Sequence, residues 1–90
     1  MENNLPVGSV VLLKGGTRGV VIIGYAAVEQ GSKKIWDYLG CAYPMGVVNS
    51  DQNLLFNKDQ IAQVIFTGYI EEEGKKILKS IQESLEEAKK

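Results

Sequence analysis

The stretch from Leu5 to Tyr25 constrains this chain more than any other. It reads Leu-Pro-Val-Gly-Ser-Val-Val-Leu-Leu, then Lys-Gly-Gly-Thr-Arg-Gly, then Val-Val-Ile-Ile-Gly-Tyr. Two apolar, β-branched runs flank a glycine-rich hexapeptide, which is the pattern of a β-hairpin. Neither run alternates apolar and polar residues, so both strands are expected to be covered on both faces. Two strands alone are marginal in water. The rest of the chain must therefore wrap this hairpin and close a core around it. With 90 residues it is expected to do so as a single domain, 1–90.

The remaining segments follow in order. Residues 1–4 are expected to be a frayed start and 5–67 the β part. Gly8 permits a bend or bulge before the first strand. Ala27 to Lys34 is a polar turn, and Ile35 to Tyr43 a third strand carrying Trp36, Tyr38 and Tyr43. Ile35, Asp37, Leu39, Cys41 and Tyr43 share one face of it; Trp36, Tyr38, Gly40 and Ala42 share the other. Tyr43-Pro44-Met45-Gly46 is turn chemistry and permits a cis bond. Leu54 to Phe56 is a short fourth strand. Asn57 caps a single helical turn, with Gln60 three residues on. Ile61 to Thr67 returns to β character.

At Gly68 the composition changes. Glu71, Glu72 and Glu73 crowd one end of the last segment and Lys89 and Lys90 the other, which suits a helix dipole. Ile77, Leu78, Ile81, Leu85 and Ala88 form one stripe, so 70–90 reads as an amphipathic helix with a fray or bend near Gly74. Glu71 with Lys75 and Glu72 with Lys76 stand at i,i+4. The fold class is α+β: a small five-stranded, mostly antiparallel SH3-like barrel or curled sheet followed by a C-terminal amphipathic helix.

The residues exclude more chemistry than they select. The chain has no histidine, which removes the commonest general base and the commonest transition-metal ligand. Cys41 is the single cysteine and reads as a small buried thiol; no internal disulfide can form. Asp37 reads as an exposed strand residue or a loop anchor rather than a buried hydrogen-bonded acid, because one carboxylate without a second catalytic group is a weak acid–base signal. Gly15, Gly16 and Gly19 precede a strand rather than a helix, so the loop is a turn and not a phosphate cradle. No enzyme activity, metal or cofactor is expected. Lys14 and Arg18 belong to one turn and Lys33 and Lys34 to the next, at opposite ends of a meander. With a net charge of −1, no nucleic-acid groove is expected. No apolar run approaches the roughly 18 residues of a membrane span. The start, Met-Glu-Asn-Asn-Leu-Pro, lacks the pattern of a secretion signal, so a cytoplasmic location is expected.

One ordered set of residues resembles a known family. It comprises Leu5-Pro6-Val7-Gly8-Ser9-Val10-Val11-Leu12-Leu13-Lys14-Gly15-Gly16, Ile22-Ile23-Gly24-Tyr25, Trp36-Asp37-Tyr38 with Gly40, and Tyr43-Pro44 with Gly46. Phe56-Asn57, Asp59, Ile61, Val64, Phe66, Gly68-Tyr69 and the acidic helix start complete it. The set resembles a family of small cytoplasmic proteins of unknown function from Gram-positive bacteria. Their genes lie in type VII secretion loci, beside LXG polymorphic toxins and WXG-like small helical proteins. Met45 stands where an acidic residue is expected after this proline. The resemblance implies an accessory role, a chaperone or targeting factor that holds an LXG toxin, or its small helical companions, before export. The alternative is an immunity protein that neutralises a toxin domain.

A module without chemistry works by contact, and contact needs exposed anchors. Aromatic residues are the commoner anchors. Trp36 and Tyr38 are therefore the expected partner-binding residues, with Tyr43 and Met45 at the adjoining turn. The stripe at Ile77, Ile81 and Leu85 is a second candidate, and it can also make a homodimer.

Overall fold

The computed structural model describes residues 5–29 and 31–89. The start read as frayed, residues 1–4, lies outside them. Five strands form one sheet: β1 (Val10–Leu13), β2 (Gly19–Val28), β3 (Ile35–Ala42), β4 (Leu54–Phe56) and β5 (Ile61–Phe66). Among the described residues one α-helix, α1 (Glu72–Ala88), follows. The strand order is β4-β3-β2-β1-β5 and every pairing is antiparallel. The expected hairpin thus sits inside the sheet, with β5 returning to pair with β1.

The sheet is curled and open. Laid flat, the edges of a five-stranded sheet lie about 19 Å apart. Yet only residues 57–60 carry the chain from the β4 edge to the β5 edge. Three of them, Lys58–Gln60, are wound into a 3-10 turn that rises only about 2 Å per residue. A link this short forces the two edges toward each other. A register shift in β2 between Ile22 and Gly24, and Ala26 at φ 53°, supply bending, as bulges do. The Lys14 N–H donates to the Gln60 carbonyl at 2.8 Å and ties the turn to the end of β1. β4, only three residues long, pairs with β3 and β5 with β1, so the sheet stops short of a closed barrel.

The inside of the curl is the core. Leu5, Val11, Val20, Ile22, Tyr38 and Phe56 pack there, flanked by Leu13, Tyr25 and Ile61. Tyr38 stacks on Phe56 with ring centroids 5.3 Å apart. Gly40 makes room for them: a Cβ there would lie 2.6 Å from Val20 Cγ1 and 2.9 Å from Phe56 Cε1. Gly68 has a comparable reason. A Cβ on it would lie 2.6 Å from the Val7 carbonyl, and its N–H donates to the buried Ser9 hydroxyl at 2.9 Å. This crossing directs the chain from β5 toward α1.

α1 lies against β2 and β3. Its N-cap is Glu71, whose carboxylate accepts the Gly74 N–H at 2.7 Å and the Glu73 N–H at 3.2 Å. Capping occupies the acid that the i,i+4 pattern assigned to Lys75; Lys75 instead lies 3.8 Å from Glu72. Gly74 falls in the regular first turn rather than at a bend. Leu78 and Leu85 are the buried seam of the helix, Ile81 is half-buried and Ile77 is exposed.

Candidate partner-binding surface

The β1–β2 hairpin is covered on one face only. Val11, Val20 and Ile22 are buried inside the curl, whereas Val10 and Val21, paired across the strands, are only half-buried. This corrects the expectation of cover on both faces. The physical reason is that α1 is used over β2 and β3, so among the described residues no element of comparable size is left for the far side of β1 and β5.

That uncovered side is an open groove of about 710 Å³ lined by Gly8, Val10, Gly19, Val21, Tyr43, Ile65 and Phe66. Gly19 lies among its walls: a Cβ there would sit 3.1 Å from Val10 Cγ1, 3.4 Å from Tyr43 Cβ and 3.8 Å from Ile65 Cδ1. The Tyr43 N–H donates to the Gly19 carbonyl at 3.0 Å, which places the tyrosine at the groove. The Tyr43–Pro44 bond is cis. Ile65 is 54% exposed, Phe66 60% and Tyr43 54%, and Met45 follows on the adjoining turn at 69%. Tyr43 is the only lining residue with a polar side-chain group, so the groove suits apolar side chains and offers nothing to hold a charge.

The expected anchors divide. Tyr43 lines the groove and Met45 is exposed beside it. Tyr38 is 0% exposed and belongs to the core, which corrects its assignment to the surface. The alternation of β3 left open which parity faces inward; the direction of the curl decides it, and Tyr38 and Gly40 turn in. Trp36, on the same parity, lies at the strand end and is half-buried. Its indole N–H donates to Glu29 Oε1 at 3.1 Å, and Lys34 Nζ sits 4.1 Å from the ring centroid. Leu85 is buried in the seam of α1 against the sheet, so it too is withdrawn as an anchor. Ile77 is exposed and borders a second, smaller hollow of about 210 Å³ with Pro6, Val7, Tyr25, Tyr69 and Leu78. Val10, Val21, Ile65 and Phe66 were missed. Their signals were available in the unalternating first hairpin and in the Val64-Ile65-Phe66 run.

Asp37 is not an exposed strand residue: it is buried at 7% exposure, a hydrogen-bonded acid that serves as a loop anchor. Its Oδ2 accepts the Lys58 N–H at 2.8 Å and its Oδ1 pairs with Lys89 Nζ at 2.6 Å. Asn57 joins them: its side-chain oxygen accepts from the Asp37 N–H at 2.9 Å and from Lys89 at 3.0 Å. Both carboxylate oxygens are engaged in holding β3, the 3-10 turn and the end of α1 together. Cys41 is buried. Tyr25 and Tyr38 are held above the ordinary phenol value by burial, Tyr25 to about 12. The loop at Gly15 and Gly16 runs into β2, and Lys33 and Lys34 lie beyond the opposite end of that strand. No described helix is long and apolar enough to cross a membrane.

The fold defines an α+β domain of one open antiparallel sheet and one helix, with an uncovered apolar sheet face. By its sequence the chain belongs to the family described as DUF4176, a domain of unknown function, whose model matches residues 4–77. No curated protein and no solved structure matches the chain.

Proposed function

We propose that this protein works by contact and without catalysis, as a cytoplasmic accessory of type VII secretion that binds an LXG toxin as chaperone or targeting factor before export. The observation that carries the contact reading is the groove between β1, β2 and β5. It is an apolar sheet face that the chain's own helix leaves open, bordered by the half-exposed aromatic anchors Tyr43 and Phe66. The resemblance of the chain to small proteins encoded beside LXG toxins supports the choice of partner.

The test is co-purification of the LXG toxin encoded nearest the gene. The wild-type protein is expected to retain it. Ile65→Asp, which puts a charge in the groove at an exposed position, and Tyr43→Ala, which removes an anchor, are expected to lose it while melting as the wild type does. A toxin that never co-purifies, or that binds both folded variants undiminished, overturns the reading. Rescue of cells expressing the toxin domain, with export unaffected, identifies an immunity protein instead.

A further inference from the structure

We propose that the groove takes an amphipathic α-helix of the partner, with the acidic end of that helix against Lys14 and Arg18. This rests on the contact reading above and adds the shape and charge of what fills the site. Strand register places the groove and α1 on one face of the sheet. Val21, in the groove, pairs with Cys41, and Cys41, Asp37 and Ile35 share one parity of β3. Lys89, just past α1, reaches Asp37, while Tyr43, of that same parity, lines the groove. α1 thus covers the Ile35–Asp37 end of this face and the groove is the uncovered remainder. Sheet faces of this kind are completed by helices. The lining separates a helix from a strand. Its one polar side-chain group is the Tyr43 hydroxyl, so an extended segment laid across it leaves backbone N–H and C=O groups unpaired, whereas a helix pairs its own. The β5 edge offers no regular ladder either. Val10 pairs with Phe66 and Val11 with Val64, so Ile65 is an extra residue; a second shift leaves Ala62 between the pairs at Gln63 and Ile61. Two bulges in six residues turn an edge away from strand addition. The first also re-aims a side chain, so that Ile65 and Phe66, neighbours in sequence, both line the groove.

The two ends of the groove differ in charge. The outward parity of β1 runs from Val10 through Leu12 to Lys14, and the turn that holds Lys14 and Arg18 contains no acid. At the opposite end, next to Gly8, Val7 shares the smaller hollow with Glu71, the first of three exposed glutamates, Glu71 to Glu73. From Gly8 to Lys14 the chain spans at most about 20 Å, the length of a helix of about 13 residues. A helix with acids in its first turn and lysine or arginine in its last, as its dipole favours, meets both ends with opposite charge. A second copy does not supply this helix. Among the described residues Leu78 and Leu85 of α1 are buried, and Ile77 is its one exposed large apolar side chain.

Fluorescence anisotropy of the full chain with a labelled peptide of about 18 residues tests this. The peptide carries leucines at i, i+3, i+4 and i+7, glutamates in its first turn and lysines in its last. It is expected to bind with a Kd of about 10–100 μM. A peptide of the same composition whose leucines alternate is expected to bind at least about tenfold more weakly, and so is the striped peptide to Ile65→Asp. Lys14→Glu combined with Arg18→Glu is expected to weaken the striped peptide about tenfold at low salt and to lose that difference near about 1 M salt. A striped peptide that does not bind below about 1 mM overturns the proposal. Equal binding of the alternating peptide, undiminished binding to Ile65→Asp, or a charge variant equal to the wild type at low salt overturns it too. If Ile65→Asp does not melt cooperatively, Phe66→Asp, at a position 60% exposed, takes its place with the same expectations. A chain that self-associates and returns to a single copy on Ile65→Asp assigns the groove to a second copy and also overturns it. An LXG toxin that never co-purifies while the striped peptide binds overturns the choice of partner alone. A toxin retained by a chain that does not bind the peptide overturns the helix alone.

Discussion

Leu5 is held at both ends of its peptide by tyrosine hydroxyls. Its N–H donates to Tyr38 Oη at 3.0 Å, and Tyr25 Oη donates to its carbonyl at 2.7 Å. Both rings sit in or against the core, 6.1 Å apart, so both phenols are neutral in the fold and costly to ionise there. In the unfolded chain a tyrosine loses its proton near 10.0, whereas folded Tyr25 keeps it to about 12. The folded state therefore binds more protons than the unfolded one above that lower value, and stability falls as pH rises. The contribution is complete below pH 10.0 and disappears toward about 12. A melting series from neutral to strongly alkaline pH is expected to be flat below 10.0 and to fall above it, with a shallower fall in Tyr25→Phe. Gly40 gives a second prediction at this scale. A methyl there meets Val20 and Phe56 at under 3 Å, inside a core with no slack. Gly40→Ala is expected to cost about 1–3 kcal/mol by denaturant titration, as overpacking does.

At the scale of elements, Asp37 joins three pieces that are distant in sequence. It belongs to β3, caps the 3-10 turn through the Lys58 N–H, and holds Lys89 just past the end of α1. The Asn57 side chain is spent on the same node, so the turn is closed from its own side by Gln60 Oε1, which accepts the Asn57 N–H at 2.8 Å. The two partners are unequally buried, with side chains 10% exposed for Asp37 and 35% for Lys89. Removing the lysine lets water reach the carboxylate; removing the carboxylate strands a backbone donor as well as the ammonium. Asp37→Ala is therefore expected to destabilise by about 1–3 kcal/mol and Lys89→Ala by less, measured by chemical denaturation. A larger effect from Lys89→Ala contradicts this account of the node.

For the whole molecule, the unbalanced cover of the sheet decides what remains for contact. The inner core and the α1 seam supply the stability, while the β1–β5 side contributes half-exposed apolar area. Changes at the groove rim should therefore separate binding from folding. Met45→Asp, at a position 69% exposed, is expected to shift stability by less than about 0.5 kcal/mol and to reduce capture of the toxin. Equal capture with equal stability removes the turn from the contact surface.

The elements were legible in the chain because their causes are local. The glycine-rich interruption between Leu13 and Val20 makes a hairpin, Tyr43-Pro44 a turn, and Asn57 with Gln60 a cap. The acidic start and the stripe at Leu78 and Leu85 make a helix that must dock. Which apolar faces would be covered was not legible, because that is a property of how strands curl and where one helix is spent. β1, β2 and β3 are apolar on both faces, and a pattern apolar on both faces carries no preference for inside. The short link from Phe56 to Ile61 drew the sheet into a curl and turned Tyr38 and Gly40 inward. α1 settled on β2 and β3, and that tertiary choice left Val10, Val21, Ile65 and Phe66 outside.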